Sequence, residues 1–365
     1  MLQIICDFGT LELFGLRIPL RIYGYGLMLV LGFLTGIYLA QRRARRSGEN
    51  PETVSYCGLL ALMGGVIGAR IAYVIENWDE FSGDGLASLG AVLNVTSGGL
   101  IYYGGFILAM GLVIGYLRMK KLSLRRYLDI VAVSLMIGLA FGRAGCTLNG
   151  CCFGDRCRAD WPLAMRFPMF SKPLIKLDGE RNPFSQASAG PSPVYAHQMN
   201  LKDNPVRPGP LLMDGEHLIS PRYYTPEQIA VAEASWSQPV KPAQPLGIVN
   251  ALLLAGILTA FYRLRSREGQ VFAILLILYP ITRFLLEGIR DQHHLTRGWT
   301  HNQYTSLAMV ASGVIMWLIL LKLPASAGAT WAERQAELSR TSGEPGEYRE
   351  RQDRKSRRDR RKRRR

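Results

Sequence analysis

Acidic residues and histidines are scarce in this chain of 365 residues. Their scarcity limits the side chains that could serve in acid–base chemistry. There are 28 Asp and Glu against 44 Lys and Arg, a formal net charge of +16. All five histidines lie outside the long apolar runs, so no histidine inside these runs is available as an acid or base. The start, MLQIICDFGTLELF, is acidic where a signal peptide would be basic, so we expect the N-terminus to be retained. The histidines are His197, His217, His293, His294 and His301.

Long apolar runs are abundant, and they set the class of the protein. The chain is 48% hydrophobic, and about 20 apolar residues are enough to cross a bilayer as a helix. Seven such runs predict an all-α membrane protein with seven transmembrane helices. The runs are 24–41, 54–75, 100–117, 130–154, 245–262, 271–289 and 302–321.

The charges of the connecting segments predict the topology. RRARRSGE, RMKKLSLRR and RLRSRE follow spans 1, 3 and 5, and short basic loops stay on the cytoplasmic side. ENWDEFSGDG, after span 2, is acidic. These loops predict an N-terminus outside and a C-terminus in the cytoplasm. The predicted parts are 1–154 with spans 1–4, an irregular outer domain at 155–244 with a short helix at 226–237, 245–322 with spans 5–7, and a disordered basic tail at 323–365.

The basic tail carries much of the net charge. Residues 349–365 hold 12 basic and 3 acidic side chains. A run of this kind is usually solvated, and next to a membrane it can also hold anionic lipid headgroups. We therefore expect membrane lipids as partners and no nucleic acid.

Three of the apolar runs contain an arginine, which is costly inside hydrocarbon and therefore marks a function. These residues are Arg70, Arg143 and Arg283. At about 1.5 Å per residue, all three reach the outer half of the bilayer, where Tyr25 and Tyr103 also lie at the starts of spans 1 and 3. Three arginines from separate spans at one depth predict a shared site.

The predicted outer layer has more positive than negative charge. Glu287 follows Arg283 by four residues, which places the two on one helix face. Arginine favours phosphate through its planar fork of donors, so we infer a phospholipid site that opens toward the outer leaflet. Snorkelling arginines or a simple Arg–Glu pair are alternative explanations. The charged residues of this layer are Arg70, Arg143, Arg283, Arg290, Glu76 and Glu287.

Several motifs resemble the prolipoprotein diacylglyceryl transferase family. The most specific is GRAGCTLNGCCFG at 142–154; RFLLEGIRDQ at 283–292 and GARIAYV at 68–74 support it. Weaker matches are YGLM at 25–28, GGLIYYGG at 98–105 and NQYTSL at 302–307.

The resemblance implies an enzyme of the bacterial cytoplasmic (inner) membrane that needs no cofactor. Such an enzyme moves the diacylglyceryl group of phosphatidylglycerol onto the lipobox cysteine thiol of a prolipoprotein signal peptide. The products are a thioether and glycerol phosphate. A transporter or flippase for an anionic lipid is the alternative, and a redox or metal protein built on the cysteines is a second.

The resemblance also implies the site residues. Arg143 and Arg283 match the family's essential arginines and would hold the phosphate. Tyr103 stands where many members have a histidine; it would relay the thiol proton if arginines lowered its pKa, and otherwise orient the substrate. Asn149 could bond the substrate or the backbone, or cap the helix end. The predicted substrate-binding residues are Tyr25, Arg70, Asn149, Gly154, Glu287 and Arg290.

Four cysteines gather near the signature motif. Cys146 and Cys151 occupy positions that are often Asn and Glu in the family. The pattern C-x4-C-C-x4-C is not a standard zinc spacing, so no metal is predicted. We expect a disulfide from Cys157 to Cys151 or Cys152, or plain buried thiols; a covalent intermediate on Cys146 is a further hypothesis.

Overall fold

A computed structural model describes most of the chain, including nearly all of the apolar runs. The basic stretch 349–365 and His293 and His294 lie outside the described residues. Those described are 2–13, 16–81, 92, 99, 101–171, 175–176, 191–201, 203, 206–214, 217–221, 224–290, 295–296, 299–326 and 329–341.

All seven predicted spans are confirmed as helices. The described chain contains seven helices that are long and apolar enough to cross a membrane. The fourth run was predicted to continue to Gly154, but its helix ends at Asn149, and His301 begins the last span instead of lying outside it. The spans are α1 (Gly24–Arg46), α2 (Pro51–Glu76), α4 (Tyr102–Met119), α5 (Leu124–Asn149), α8 (Ala243–Leu264), α9 (Gln270–Glu287) and α10 (His301–Lys322).

Short elements connect the spans. They are α3 (Trp78–Phe81), α6 (Pro193–Met199), a 3-10 turn (Pro210–Leu212), α7 (Pro226–Ala234) and α11 (Trp331–Thr341), with the two-residue strands β4 (Met213–Asp214), β5 (His217–Leu218), β6 (Leu295–Thr296) and β7 (Trp299–Thr300).

A β-hairpin that we did not predict precedes the first span. Strands β1 (Ile4–Leu13) and β2 (Leu16–Tyr23) pair antiparallel, and β3 (Ile175–Lys176) adds to β1 in parallel. The backbone N–H of Leu2 donates to the carbonyl of Leu148 at 3.0 Å. The N-terminus is thereby fixed beside the end of α5, where the signature motif lies.

The segment between spans 4 and 5, which we predicted to be an outer domain, has its own apolar core. Its two ends pair with each other: Met165 exchanges backbone hydrogen bonds with Val240, and the Ser237 N–H donates to the carbonyl of Phe167. The short helix predicted at 226–237 is confirmed as α7, which ends at Ala234. The core consists of Met169, Phe170, Tyr195, Val206, Leu212, Tyr224 and Ala232.

The chain divides into two compact units, residues 1–38 with 128–325, and residues 39–127 with 326–365. In the second unit, α2 and α4 pack closely because Gly68 faces Gly104: a Cβ on Gly68 would lie 2.5 Å from the Gly104 carbonyl oxygen. Small residues commonly allow such approach between membrane helices. Gly68 is therefore a packing residue between α2 and α4.

A buried ion pair in the second unit joins the start of α5 to the loop between α1 and α2. The Arg126 guanidinium lies 2.5 Å from the Glu49 carboxylate, which also accepts a hydrogen bond from Tyr127 at 3.2 Å. The Ala332 N–H at the start of α11 donates to the Gly48 carbonyl at 3.0 Å. Disorder was predicted for the whole tail; residues 331–341 instead form a helix with a docked N-terminus.

Candidate functional site

Three of the predicted arginines line one cavity in the first unit. Arg143 reaches it from α5, Arg283 from α9, and Arg290 from the segment that follows α9. The empty space between these residues is about 370 Å³, and this figure includes space that is open to solvent. The other lining residues are Leu139, Cys152, Ala243, Gly247, Asn250, Tyr279 and Leu286.

Arg143 is held in position by packing. Gly247 on α8 makes room for it, since a Cβ there would lie 3.2 Å from Arg143 Cδ. Thr147, one turn later, donates its hydroxyl to the Arg143 carbonyl at 3.0 Å. Among the described residues, no carboxylate pairs with Arg143. Its charge is available to a bound anion.

Glu287 is the carboxylate of this site, and two arginines share it. Its Oε2 lies 2.7 Å from Arg283 and 3.6 Å from Arg290, while Asn302 donates to Oε1 at 2.8 Å. The predicted pairing of Arg283 with Glu287 is therefore confirmed. One buried carboxylate against three guanidinium groups leaves an excess of two positive charges, which favours a bound anion.

Gly154 contributes through its backbone. It forms an antiparallel bridge with Arg290, and the next N–H, of Asp155, donates to the Ile289 carbonyl at 3.1 Å. A Cβ on Gly154 would lie 2.7 Å from the Ile289 oxygen and 2.8 Å from the Lys241 oxygen. No larger residue fits, so Gly154 positions the backbone that carries Arg290.

The signature motif turns back on itself after Asn149. Gly150 has φ +70°, the Cys151 N–H donates to the Cys146 carbonyl at 3.1 Å, and the Gly150 N–H donates to the Thr147 carbonyl at 3.3 Å. This is the Schellman arrangement of a helix C-terminus. Asn149 is thus the last helical residue, in agreement with the helix-end alternative.

All six cysteines are free thiols. The expected disulfide from Cys157 to Cys151 or Cys152 is wrong, and the alternative of unpaired thiols holds. Cys157 lies on the segment that leads into the outer domain, where its N–H donates to the Pro239 carbonyl. This backbone hydrogen bond fixes the course of the chain at Cys157.

Tyr25 belongs to the same neighbourhood. Its ring packs on Gly145, where a Cβ would lie 2.9 Å from Tyr25 Cδ2. Tyr25 is not among the residues that line the arginine cavity described above. The structure therefore brings Tyr25 together with the signature motif.

Arg70 and Tyr103 lie in the second unit, and their predicted roles stay predictions. Arg70 is 7% exposed; it donates to the carbonyls of Val92 at 2.8 Å and Gly99 at 3.0 Å, and its guanidinium lies 5.3 Å from the Tyr73 ring centre. These contacts give Arg70 a local structural role. Tyr103 is 57% exposed.

Sequence reasoning missed several lining residues, of which Gly247 and Asn250 on α8 are the most informative. Asn250 donates to the Thr282 hydroxyl at 3.0 Å, which joins α8 to α9 beside Arg283. A lone asparagine within the apolar run 245–262 was the available signal, because polar groups inside membrane spans are usually buried and bonded.

Comparisons with known proteins agree on one family. A family model described as prolipoprotein diacylglyceryl transferase matches residues 12–319. Similar proteins named phosphatidylglycerol–prolipoprotein diacylglyceryl transferase include one from Rhodopirellula baltica, 24% identical over 84% of this chain and 73% of its own length. Others are from Clostridium tetani, 24% identical over 84% and 95%, and Corynebacterium efficiens, 26% identical over 88% and 86%.

Proposed function

Because the chain belongs to the prolipoprotein diacylglyceryl transferase family, it is an enzyme of the first step of lipoprotein maturation, and we propose how its site carries out that step. Phosphatidylglycerol binds with its phosphate in the cavity of Arg143, Arg283 and Arg290. The lipobox cysteine thiol of a prolipoprotein attacks the glyceryl carbon that bears the phosphate oxygen. A thioether forms, and glycerol phosphate leaves.

The excess of positive charge around the cavity is the observation that supports this proposal. Arg143 has no carboxylate partner among the described residues, and Glu287 is shared by two arginines at 2.7 and 3.6 Å. As the carbon–oxygen bond breaks, the phosphate gains a second negative charge. Guanidinium groups already fixed around that position stabilise the transition state more than the ground state.

The neighbouring residues have separate tasks in this scheme. Glu287 and Asn302 hold Arg283 and Arg290 in place, and Gly154 fixes the backbone of Arg290. Tyr25, whose ring packs on Gly145 of the signature motif, is proposed to help bind the substrate. Glu287 therefore acts by positioning the arginines, not by taking up a proton.

The membrane arrangement is part of the proposal. Seven spans make this a multi-pass membrane protein, and we place it in the bacterial cytoplasmic membrane with its N-terminus outside. The alternating basic loops support this orientation. The arginine cavity then faces the outer half of the bilayer, where exported precursors meet phosphatidylglycerol. No observation favours the transporter or flippase alternative.

A reconstituted transfer assay tests the function. The purified chain is mixed with phosphatidylglycerol and a lipobox peptide, and the peptide mass is measured. We expect a gain of one diacylglyceryl group on the cysteine and release of glycerol phosphate. A matched peptide with serine at that position should stay unmodified. Movement of lipid between leaflets without any modified peptide would overturn the proposal.

A further inference from the structure

Three cysteine thiols meet beside the arginine cavity. The sulfur atoms of Cys146, Cys151 and Cys152 all lie within 4.8 Å of one another. Cys152 also lines the cavity, together with Arg143 and Arg290. Among the described residues, this is the one group of three or more potential metal ligands.

The local fold explains why residues separated by C-x4-C-C spacing converge. The Schellman turn at Gly150 brings Cys151 back over Cys146, with the backbone hydrogen bond of 3.1 Å between them. Cys152 then has φ +57°, a left-handed conformation that is uncommon for a side-chain-bearing residue and often found at functional sites. Gln244 fixes the turn by donating to the Cys151 carbonyl at 2.9 Å.

We propose that Cys146, Cys151 and Cys152 bind one Zn²⁺ ion, and that its open fourth position takes the sulfur of the prolipoprotein cysteine. This inference rests on the proposed function and adds to it the means by which the nucleophile is activated. It also reverses our sequence-based expectation that the protein holds no metal.

The arrangement fits zinc in donor type, spacing and charge. Zinc–thiolate bonds of about 2.3 Å in a tetrahedron place the sulfurs about 3.8 Å apart, so small side-chain rotations from the observed spacing complete the site. Three thiolates and Zn²⁺ carry one net negative charge, so one of the two excess positive charges around the cavity still remains for the phosphate. Zinc sites with three protein ligands and one open position are typically catalytic.

A zinc-bound thiol provides what the site otherwise lacks. Among the described residues, no histidine lines the cavity, and the thiolate, not the thiol, is the nucleophile. Coordination to Zn²⁺ removes the thiol proton at neutral pH. The metal thereby does the work of a general base.

The step balances in atoms and electrons. The precursor thiol releases its proton to water as the zinc–sulfur bond forms. The sulfur electron pair then forms the bond to the glyceryl carbon, and the carbon–oxygen bond breaks with its pair on the phosphate oxygen. Glycerol phosphate leaves as a dianion, which balances the released proton. The neutral thioether is a weaker ligand than a thiolate and departs from the zinc.

Metal analysis of the full-length protein tests the binding site. The protein is purified through a histidine-free tag, and zinc is measured by mass spectrometry. We expect about one zinc per chain in the wild type and in Cys157→Ser, and a loss of zinc in Cys146→Ser, Cys151→Ser and Cys152→Ser. These three variants should keep the helical circular dichroism of the wild type and unfold at a somewhat lower temperature, because a metal that binds only the folded state stabilises it. Wild-type protein that binds no added Zn²⁺, or that holds a disulfide among these cysteines, would overturn the proposal.

Cobalt substitution tests the open position without relying on turnover. Co²⁺ bound by thiolates absorbs in the near ultraviolet and visible, and a lipobox peptide should shift these bands whereas its serine counterpart should not. We expect the three serine variants to lose about 100-fold in transfer. Transfer that persists in zinc-free protein would refute the zinc role and leave the proposed function intact; zinc binding without any transfer would refute the proposed function.

Discussion

Helix α5 carries the buried Asp129 near its start and the half-buried Arg143 near its end, and the surroundings of these two charges differ in one respect. Near the start, Asp129 is fully buried and every contact is matched: Arg265 lies 3.0 Å away, and the N–H groups of Gly269 and Phe272 donate at 2.7 and 3.0 Å. Near the other end, Arg143 has no carboxylate partner among the described residues and faces a cavity.

The difference separates structure from function. A buried charge with all its partners present holds the connection between α8 and α9 to α5. A half-buried charge with no carboxylate partner among the described residues, beside Arg283 and Arg290, favours an anion from outside. Arginine within a span is therefore informative about function only after its partners have been counted.

Removing Asp129 should have the largest effect, on stability. Asp129→Ala leaves Arg265 and two backbone N–H groups without their acceptor, and breaking a buried pair costs about 3–5 kcal/mol. We expect a marked fall in the thermal unfolding temperature, with transfer per folded molecule nearly unchanged. Glu227→Ala, which removes an exposed carboxylate on α7, is the control and should change neither. Unaltered unfolding of Asp129→Ala would break the comparison.

Removing Arg143 should have the converse effect, on transfer. Arg143→Ala leaves no described carboxylate unpaired, so the unfolding temperature should hold while transfer falls by about 10²–10³-fold, as when one preorganised donor is lost. Arg263→Ala, an exposed arginine at the far end of α8, should keep full activity. A variant at position 143 with near-normal turnover would contradict the assigned role.

Alanine substitutions at two glycines near the arginines should have effects of different size, because the space around the two glycines differs. Gly154→Ala meets backbone oxygens at 2.7 and 2.8 Å, so it should destabilise the protein by about 1–3 kcal/mol and reduce transfer. Gly247→Ala meets the flexible Arg143 side chain at 3.2 Å, so transfer should fall only several-fold. Gly256→Ala, with open space around it, is the control. The reverse order of the two glycines would argue against the backbone role of Gly154.

The smallest effect is expected at Asn250. Asn250→Ala removes one hydrogen bond to Thr282, worth about 1 kcal/mol, and should lower the unfolding temperature slightly. Thr282→Val should do the same, and the double variant should cost little more than either single change. Strictly additive losses would show that the two side chains act separately.

The spans were predictable because each is a continuous apolar run, which is visible in the sequence without knowledge of tertiary contacts. The proximity of Arg143 and Arg283 was predictable because both lie at a similar depth along their spans. The pairing of Glu287 with Arg283 was predictable because the two are four residues apart on one helix. The hairpin from Ile4 to Tyr23 was missed because two short strands give a much weaker hydropathy signal than a membrane span. The cysteine cluster could not be read from spacing alone: it depends on a turn after Asn149, where the sequence suggested that the helix continued.

A structure of the protein with bound phosphatidylglycerol tests the central claim most directly. We predict that the lipid phosphate lies in the cavity within hydrogen-bonding distance of both Arg143 and Arg283, with Arg283 still paired to Glu287. A phosphate bound elsewhere, with acyl chain filling the space between the two guanidinium groups, would contradict it.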